Sequence, residues 1–255
     1  ISEMIPSISQ NKIKSVTIRD GVTKISDDAF QDCTNLTSVI IPKSVIYIGG
    51  FSFKNCTSLK EINIPDSVTD IMNGAFEGCT GLKEITIPNS VKAIGNDAFY
   101  GCSSLQRIKL PDNIKRIGIN TFSNCTSLIS VKIPDNVTEI KNSAFNNCMN
   151  LKEINLPNGL TSIGKMAFKG CSSLQNIIIP KSMTSIGKSA FENCTNLTSI
   201  NIPNSVKEIG AEAFAKCTNL SSVTISNSIE SINSGTFREC VSLQEITIPN
   251  SVTSI

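Results

Sequence analysis

Apolar and polar positions follow a single pattern that repeats every 23 residues along most of this chain. Residues 82–104 show the pattern well, because they open with an alternation that ends at a proline, Leu82-x-x-Ile85-x-Ile87-Pro88. Alternation with a period of two predicts a short strand that buries one face. Pro88 has no backbone N–H and therefore closes that strand.

The remainder of the repeat predicts a second extended segment and then a single helical turn. Val91 and Ile94 are the inward positions of the extended segment. Ala98, Phe99 and Cys102 stand at positions i, i+1 and i+4, which favours one helical turn that buries all three. We therefore expect each repeat to form one closed coil of the chain.

The aromatic and sulfur-containing residues carry the repeat most clearly. Phe-x-x-Cys recurs at the fixed spacing of 23 residues, with cysteines at 33, 56, 79, 102, 125, 148, 171, 194, 217 and 240. Every cysteine belongs to this series, and Phe51 is the one phenylalanine outside it. A repeat this short cannot fold alone, so the pattern predicts a solenoid in which each coil covers the core of its neighbours and the rings form a ladder.

The cysteines are expected to be buried free thiols. Equivalent side chains in neighbouring coils stack in parallel, roughly 4.8 Å apart, whereas a disulfide needs Cβ atoms about 3.8 Å apart and a dihedral near 90°. Burial in such a column favours a small hydrophobic role over a reactive thiolate. The chain has no histidine, so the sequence predicts no zinc site and no Ser/His or Cys/His catalytic pair.

Composition narrows the functional classes further. The formal net charge is +2 with both signs interspersed, which argues against nucleic-acid binding. Apolar runs are too short to span a bilayer. We find no phosphate-binding glycine loop and no calcium-binding acidic run. The sequence therefore predicts a non-enzymatic protein without a cofactor or metal.

The repeat as a whole resembles a known family. Residues 82–102 and 197–217 read as Leu-x-x-Ile-x-Ile-Pro-x-Ser-Val-x-x-Ile-Gly-x-x-Ala-Phe-x-x-Cys with few departures, which is similar to the BspA-like, treponemal type of leucine-rich repeat. The resemblance implies a right-handed leucine-rich-repeat β-solenoid with a parallel concave sheet, and with short strands and one-turn helices on the convex side. It also implies a cell-surface or secreted protein that adheres to host matrix or microbial surface proteins.

Two regions follow from the spacing. Residues 13–255 correspond to about ten and a half repeats without a C-terminal cap, and residues 1–12 to an N-terminal partial coil or the remnant of an upstream cap. The chain begins at Ile1 without a signal peptide and ends inside a repeat. We expect any signal and anchor to lie outside this segment, and the uncapped end to allow oligomerisation.

The first candidate binding surface lies on the outward positions of the predicted concave sheet. Glu61 and Glu84 form an acidic band there, beside a basic band of Arg107, Lys109 and Lys132. Such a banded surface suits an extended or charged protein partner. The alternative is a solvated face with routine alternation of charge.

The second candidate is an apolar cluster of Ile40, Ile46, Tyr47 and Phe51. Their columns carry mostly polar residues in other repeats, and exposed apolar side chains with a tyrosine can anchor a contact. The alternative is that these are ordinary surface residues on different faces of the coil.

The functional expectation is a protein-recognition module that acts in adhesion at the cell surface. The alternative is an intracellular scaffold for protein assembly, which reduced cysteines favour. A signal peptide and an anchor in the full reading frame would support the first, and their absence the second.

Overall fold

The computed structural model describes residues 11–255, so most of the predicted N-terminal partial coil at residues 1–12 lies outside the described residues. The first segment of a coil forms strands of three residues: β1 (Ser15–Thr17), β3 (Ser38–Ile40), β6 (Glu84–Thr86), β8 (Arg107–Lys109), β10 (Ser130–Lys132), β12 (Glu153–Asn155), β15 (Ser199–Asn201) and β17 (Ser222–Thr224). The second segment forms strands of two residues: β2 (Lys24–Ile25), β4 (Tyr47–Ile48), β5 (Asp70–Ile71), β7 (Ala93–Ile94), β9 (Arg116–Ile117), β11 (Glu139–Ile140), β13 (Ser162–Ile163), β14 (Ser185–Ile186) and β16 (Glu208–Ile209).

All strand pairs are parallel and join residues that are 23 apart, such as Ser15 with Ser38 and Glu139 with Ser162. The three-residue strands build one side of the solenoid in the sheets β1-β3, β12-β10-β8-β6 and β15-β17. The two-residue strands build a second side in the sheets β2-β4-β5-β7 and β16-β14-β13-β11-β9. The predicted parallel β-solenoid with a 23-residue period is confirmed.

The prediction of a helical turn on the third side of each coil is wrong, because residues 11–255 contain no helix. Asp97 and Gly101 have φ angles of 57° and 70°, in the left-handed region that interrupts a right-handed helix. The N–H groups of Asp97, Phe99 and Gly101 donate to carbonyls of the next coil at 2.8–3.0 Å. Consecutive β-turns therefore replace the helix, although Ala98, Phe99 and Cys102 are buried as expected.

The core is a set of side-chain files that run along the solenoid. Successive rings from Phe30 to Phe237 stack with centroids 5.3–5.7 Å apart. The cysteines are free and buried, and each Sγ from Cys56 to Cys240 donates to a phenylalanine carbonyl 26 residues earlier at 3.0–3.2 Å. The predicted aromatic ladder and the predicted burial of the thiols are both confirmed.

Candidate protein-binding surfaces

The three-residue strands present an ordered outer surface, which we call the concave face. Strands β6, β8, β10 and β12 each have an exposed, buried, exposed pattern, as in Glu84, Ile85 and Thr86. The central residue enters the core, so the two flanking residues must point to solvent. Residues 61–63 follow the same burial pattern without regular strand hydrogen bonds. The outward side chains consequently form columns along the solenoid.

The structure brings four of the predicted charged residues together. Glu61, Glu84, Arg107 and Lys109 line one depression of about 710 Å³ on the concave face. Lys132 lies on the next strand, since Ser130 of β10 pairs with Arg107 of β8. All five side chains belong to exposed residues. The predicted columns are therefore adjacent in space and open to a partner.

Two lysines that the sequence analysis did not include change the charge of this surface. Lys60 and Lys83 line an adjoining depression of about 290 Å³ together with Glu61, Glu84 and Arg107. The acidic band therefore has lysines beside it and is not a separate acidic zone. The sequence alone could have indicated these two lysines, because each of them directly precedes its glutamate.

Among residues 11–255, no ion pair involves the charged side chains of the concave face. Across residues 11–255 the ion pairs join Lys54 to Glu77, Lys141 to Glu139, Lys169 to Glu192, and Arg238 to Glu212 and Glu239. Glu84 and Arg107 are direct partners in neighbouring strands, yet they are not among these pairs. Their charges remain available to another molecule.

The apolar candidates are spread over different parts of the coil. Ile40 ends β3 on the concave face and is 58% exposed, whereas Tyr47 opens β4 in the second sheet. Phe51 lies in the turns of the third side, with a φ angle of 53°. Ile46 is exposed just before β4. The structure thus assigns these residues to separate segments and does not gather them into one site with the charged residues.

Phe51 makes intramolecular contacts that the sequence did not indicate. Its ring covers Gly74, where an added Cβ would lie 2.3 Å from Phe51 Cε1. Lys54 Nζ lies 5.0 Å from the centroid of the same ring and 3.0 Å from Glu77 Oε1. These contacts hold the ring against the coil, so that 37% of the residue is exposed.

A further apolar position on the concave face went unnoticed as a candidate. Ile178 is 85% exposed and occupies a column that is otherwise mostly polar. With Ile129 it lines a second depression of about 590 Å³. The sequence feature that could have indicated this position is an isoleucine at an outward strand position, in the same column as Ile40.

The structure offers little reactive chemistry. Burial raises the pKa of the Cys217 thiol to about 12, and burial together with nearby thiols raises the pKa of Cys148 well above its ordinary value of 9.0. Residues 11–255 hold no cluster of side chains that would ligate a metal ion. Among the same residues, no helix is long and apolar enough to cross a membrane.

The parallel solenoid has this fixed period, one strand of each coil on the concave side, and leucine at a fixed core position. These features define a leucine-rich repeat protein, which is a type of protein-interaction module. The sequence profile described as BspA type Leucine rich repeat region matches residues 7–94, 51–169 and 138–255, in six copies. The chain belongs to this family, which confirms the resemblance that the repeat indicated.

Solved structures agree with this assignment. A leucine-rich repeat protein from Bacteroides ovatus is 32% identical, with a TM-score of 0.81, over 96% of this chain and 75% of that one. A leucine rich cell surface protein from Faecalibacterium prausnitzii is 30% identical, with a TM-score of 0.50, over 91% of this chain and 78% of that one. The pneumococcal vaccine antigen PcpA shares the fold at 23% identity and a TM-score of 0.62, over 94% and 73% of the two chains. The sequence matches none of the curated proteins with which it was compared.

Proposed function

We propose that this solenoid is a non-enzymatic recognition module that binds a host matrix or microbial surface protein through its concave face. The observation that carries the proposal is the set of exposed charges that line one depression and form no ion pair among residues 11–255. Neighbouring strands align Glu84 with Arg107, so charges of both signs are presented at a fixed spacing, as complementary recognition of a charged partner requires.

The proposed location is the cell surface, where the protein would act in adhesion. The support is the relative from Faecalibacterium prausnitzii, which is described as a cell surface protein and is 30% identical. The alternative is an intracellular scaffold, favoured by ten buried cysteines that remain free thiols. Sequencing the complete reading frame separates the two, because adhesion requires export and attachment.

The concave face is tested by blocking it with a bulky side chain. Thr86→Trp fills part of the depression, and Thr161→Trp places the same side chain at an exposed position beside the second sheet. Binding is measured to immobilised host matrix proteins and to isolated microbial surface proteins. We expect the parent and Thr161→Trp to bind the same partner, and Thr86→Trp to bind at least about tenfold more weakly. Equal binding by the two variants would reject the concave face as the site.

The apolar residues remain a second proposed contact. If Phe51 anchors the partner, Phe51→Ser will weaken binding while leaving the concave depression intact. Its contacts with Gly74 and Lys54 predict instead that the substitution acts mainly on the fold. Comparing partner affinity with unfolding free energy for this variant distinguishes the two roles.

A further inference from the structure

The side chains that line two adjoining depressions of the concave face carry more positive than negative charge. The two depressions around Glu61 and Glu84 contain four cationic side chains and two anionic ones. Lys60 and Lys83 accompany the glutamates, so the excess falls on Arg107 and Lys109 of β8, and Lys132 of the adjacent strand β10 adds to it. There Arg107, Lys109 and Lys132 are exposed together.

The column that contains Lys109 and Lys132 offers them no carboxylate. Its members on the neighbouring strand positions are Asn63, Thr86 and Asn155. The two lysines occupy adjacent strands, roughly 4.8 Å apart at the backbone, and like charges in such positions destabilise a sheet. The fold therefore keeps a repulsive pair where other coils have neutral residues.

The nearest carboxylates are Glu84, opposite Arg107 in β6, and Glu153, opposite Ser130 in β12. Neither stands in the column of Lys109 and Lys132, and the other acidic residues nearby lie at the corners of the coils. Asp112 accepts a hydrogen bond from Asn89 Nδ2 at 3.0 Å through its side chain. Asp135 occupies the equivalent corner of the next coil. Among residues 11–255, neither aspartate and none of the three cations belongs to an ion pair.

We propose that Arg107, Lys109 and Lys132 bind a short acidic segment of the partner protein. The inference rests on the proposed function and specifies the chemistry of its partner. Arg107 and Lys109 flank Ile108, which places them roughly 6.7 Å apart along the strand. Alternate carboxylates of an extended segment have the same spacing. Lys132 reaches a third carboxylate from the next strand, and the guanidinium of Arg107 can hold one carboxylate through two hydrogen bonds.

A short acidic segment fits this surface better than a continuous polyanion. Glu61 and Glu84 line the same depression and would repel a nucleic acid or sulfated polysaccharide that extended past the three cations. No aromatic side chain lines the depression for base stacking. The geometry therefore favours a polypeptide in which the acidic run is brief.

The test uses a fluorescent peptide of alternating glutamate and serine, with an alternating lysine and serine peptide as its counterpart. The variant combines Lys109→Thr with Lys132→Asn, which are residues that the same column carries in other coils. The control combines Lys165→Asn with Lys188→Asn, another pair of exposed lysines 23 residues apart and away from the concave face. Both variants lose the same charge, and thermal melts confirm that each is folded.

We expect the glutamate peptide to bind the parent and the control equally. The variant should bind it about five to tenfold more weakly, as the loss of two exposed ion pairs implies, and about 0.5 M salt should abolish the difference. The proposal is overturned if the glutamate peptide does not bind, if control and variant weaken alike, or if heparin or anionic vesicles bind more tightly than the peptide and depend on the same lysines.

The natural partner separates this inference from the proposed function. If Thr86→Trp prevents partner binding and the double lysine variant does not, the concave face recognises its partner by other means and the acidic segment is rejected. If neither substitution matters, concave recognition itself is rejected. Loss of binding in both, with the Lys165 and Lys188 control unaffected, supports the acidic segment.

Discussion

Each Phe-x-x-Cys unit places one ring and one thiol in the interior, where both meet their copies in the next coil. Phe145 stacks on Phe122 and Phe168 at centroid distances of 5.3 Å, and Cys148 Sγ donates to the Phe122 carbonyl at 3.1 Å. Each side chain therefore supports two neighbouring coils as well as its own. Individual residues of these files matter most in the middle of the solenoid.

Phe145→Ala is expected to lower the free energy of unfolding by roughly 3–5 kcal/mol, because it leaves a ring-sized cavity between two rings. Urea denaturation of the parent and the variant measures the difference. Tyr100→Ala is the matched control, since that ring lies outside the file and is 36% exposed, and it should lose much less. A loss below about 1 kcal/mol for Phe145→Ala would show that the aromatic file is not core.

One residue of the core is less favourable than its equivalents. Ser52 is fully buried, and its hydroxyl finds no hydrogen-bond partner among residues 11–255, whereas Ala29 and Ala75 occupy the same position in the adjacent coils. We expect Ser52→Ala to stabilise the protein by about 1 kcal/mol, because it removes an unpaired polar group. Ser38→Ala on the exposed face serves as the control and should change the melting midpoint little. Destabilisation by Ser52→Ala would show that the hydroxyl has a partner.

The elements differ in how well the sequence predicts them. Alternation identified the strands because Ile85 must enter the core while Glu84 and Thr86 remain in water. The turn at residues 97–102 was wrongly predicted as helical, since buried residues at i, i+1 and i+4 also suit consecutive β-turns. The deciding fact is the left-handed backbone of Asp97, which depends on hydrogen bonds to the next coil that no local pattern encodes.

The candidate surfaces were also predicted only in part from the sequence. Periodicity placed Glu61, Glu84, Arg107 and Lys109 on one face, because the strand period fixes which side chains point outward. It could not place Phe51 against Gly74, since that contact depends on the backbone of the third side. The sequence shows that Ile178 is an apolar residue in a mostly polar column, but only the structure shows that its side chain is exposed.

Close approach of neighbouring coils makes several glycines sensitive to substitution, and Gly187 is one of them. A Cβ on Gly187 would lie 2.6 Å from backbone atoms of Gly164 and Lys165, whereas a Cβ on Gly159 would meet nothing nearer than 3.9 Å. Gly187→Ala is therefore expected to destabilise the protein by about 1 kcal/mol or more. Gly159→Ala should be neutral or slightly stabilising, because it restricts the unfolded chain. Thermal melts of the two variants test the prediction, which fails if their midpoints agree.

The molecule as a whole has one continuous core of stacked side chains. The buried thiols link that core to pH. Burial raises the pKa of Cys148 well above 9.0, so above that pH the unfolded chain releases a proton that the folded chain retains. The unfolded state then binds fewer protons, and stability must fall as the pH rises.

This linkage predicts a specific difference between the parent and Cys148→Ala. The stability conferred by the protonated thiol is complete below pH 9.0 and declines above it, by about 1.4 kcal/mol per pH unit for each buried thiol. The free energy of unfolding of Cys148→Ala should therefore fall less steeply above pH 9.0 than that of the parent. Denaturant titrations above pH 9.0 measure both free energies of unfolding. If they fall equally steeply with pH for the parent and for Cys148→Ala, the burial of this thiol in the folded state is contradicted.

The central claim is that rings and thiols fill the interior and leave the outer surface for recognition. Native-state alkylation, with mass spectrometry of each cysteine, tests it most directly. We predict that the cysteines from Cys56 to Cys217 react only as fast as the solenoid unfolds, and that denaturant exposes all of them. Rapid modification of most of these cysteines without denaturant would contradict the account.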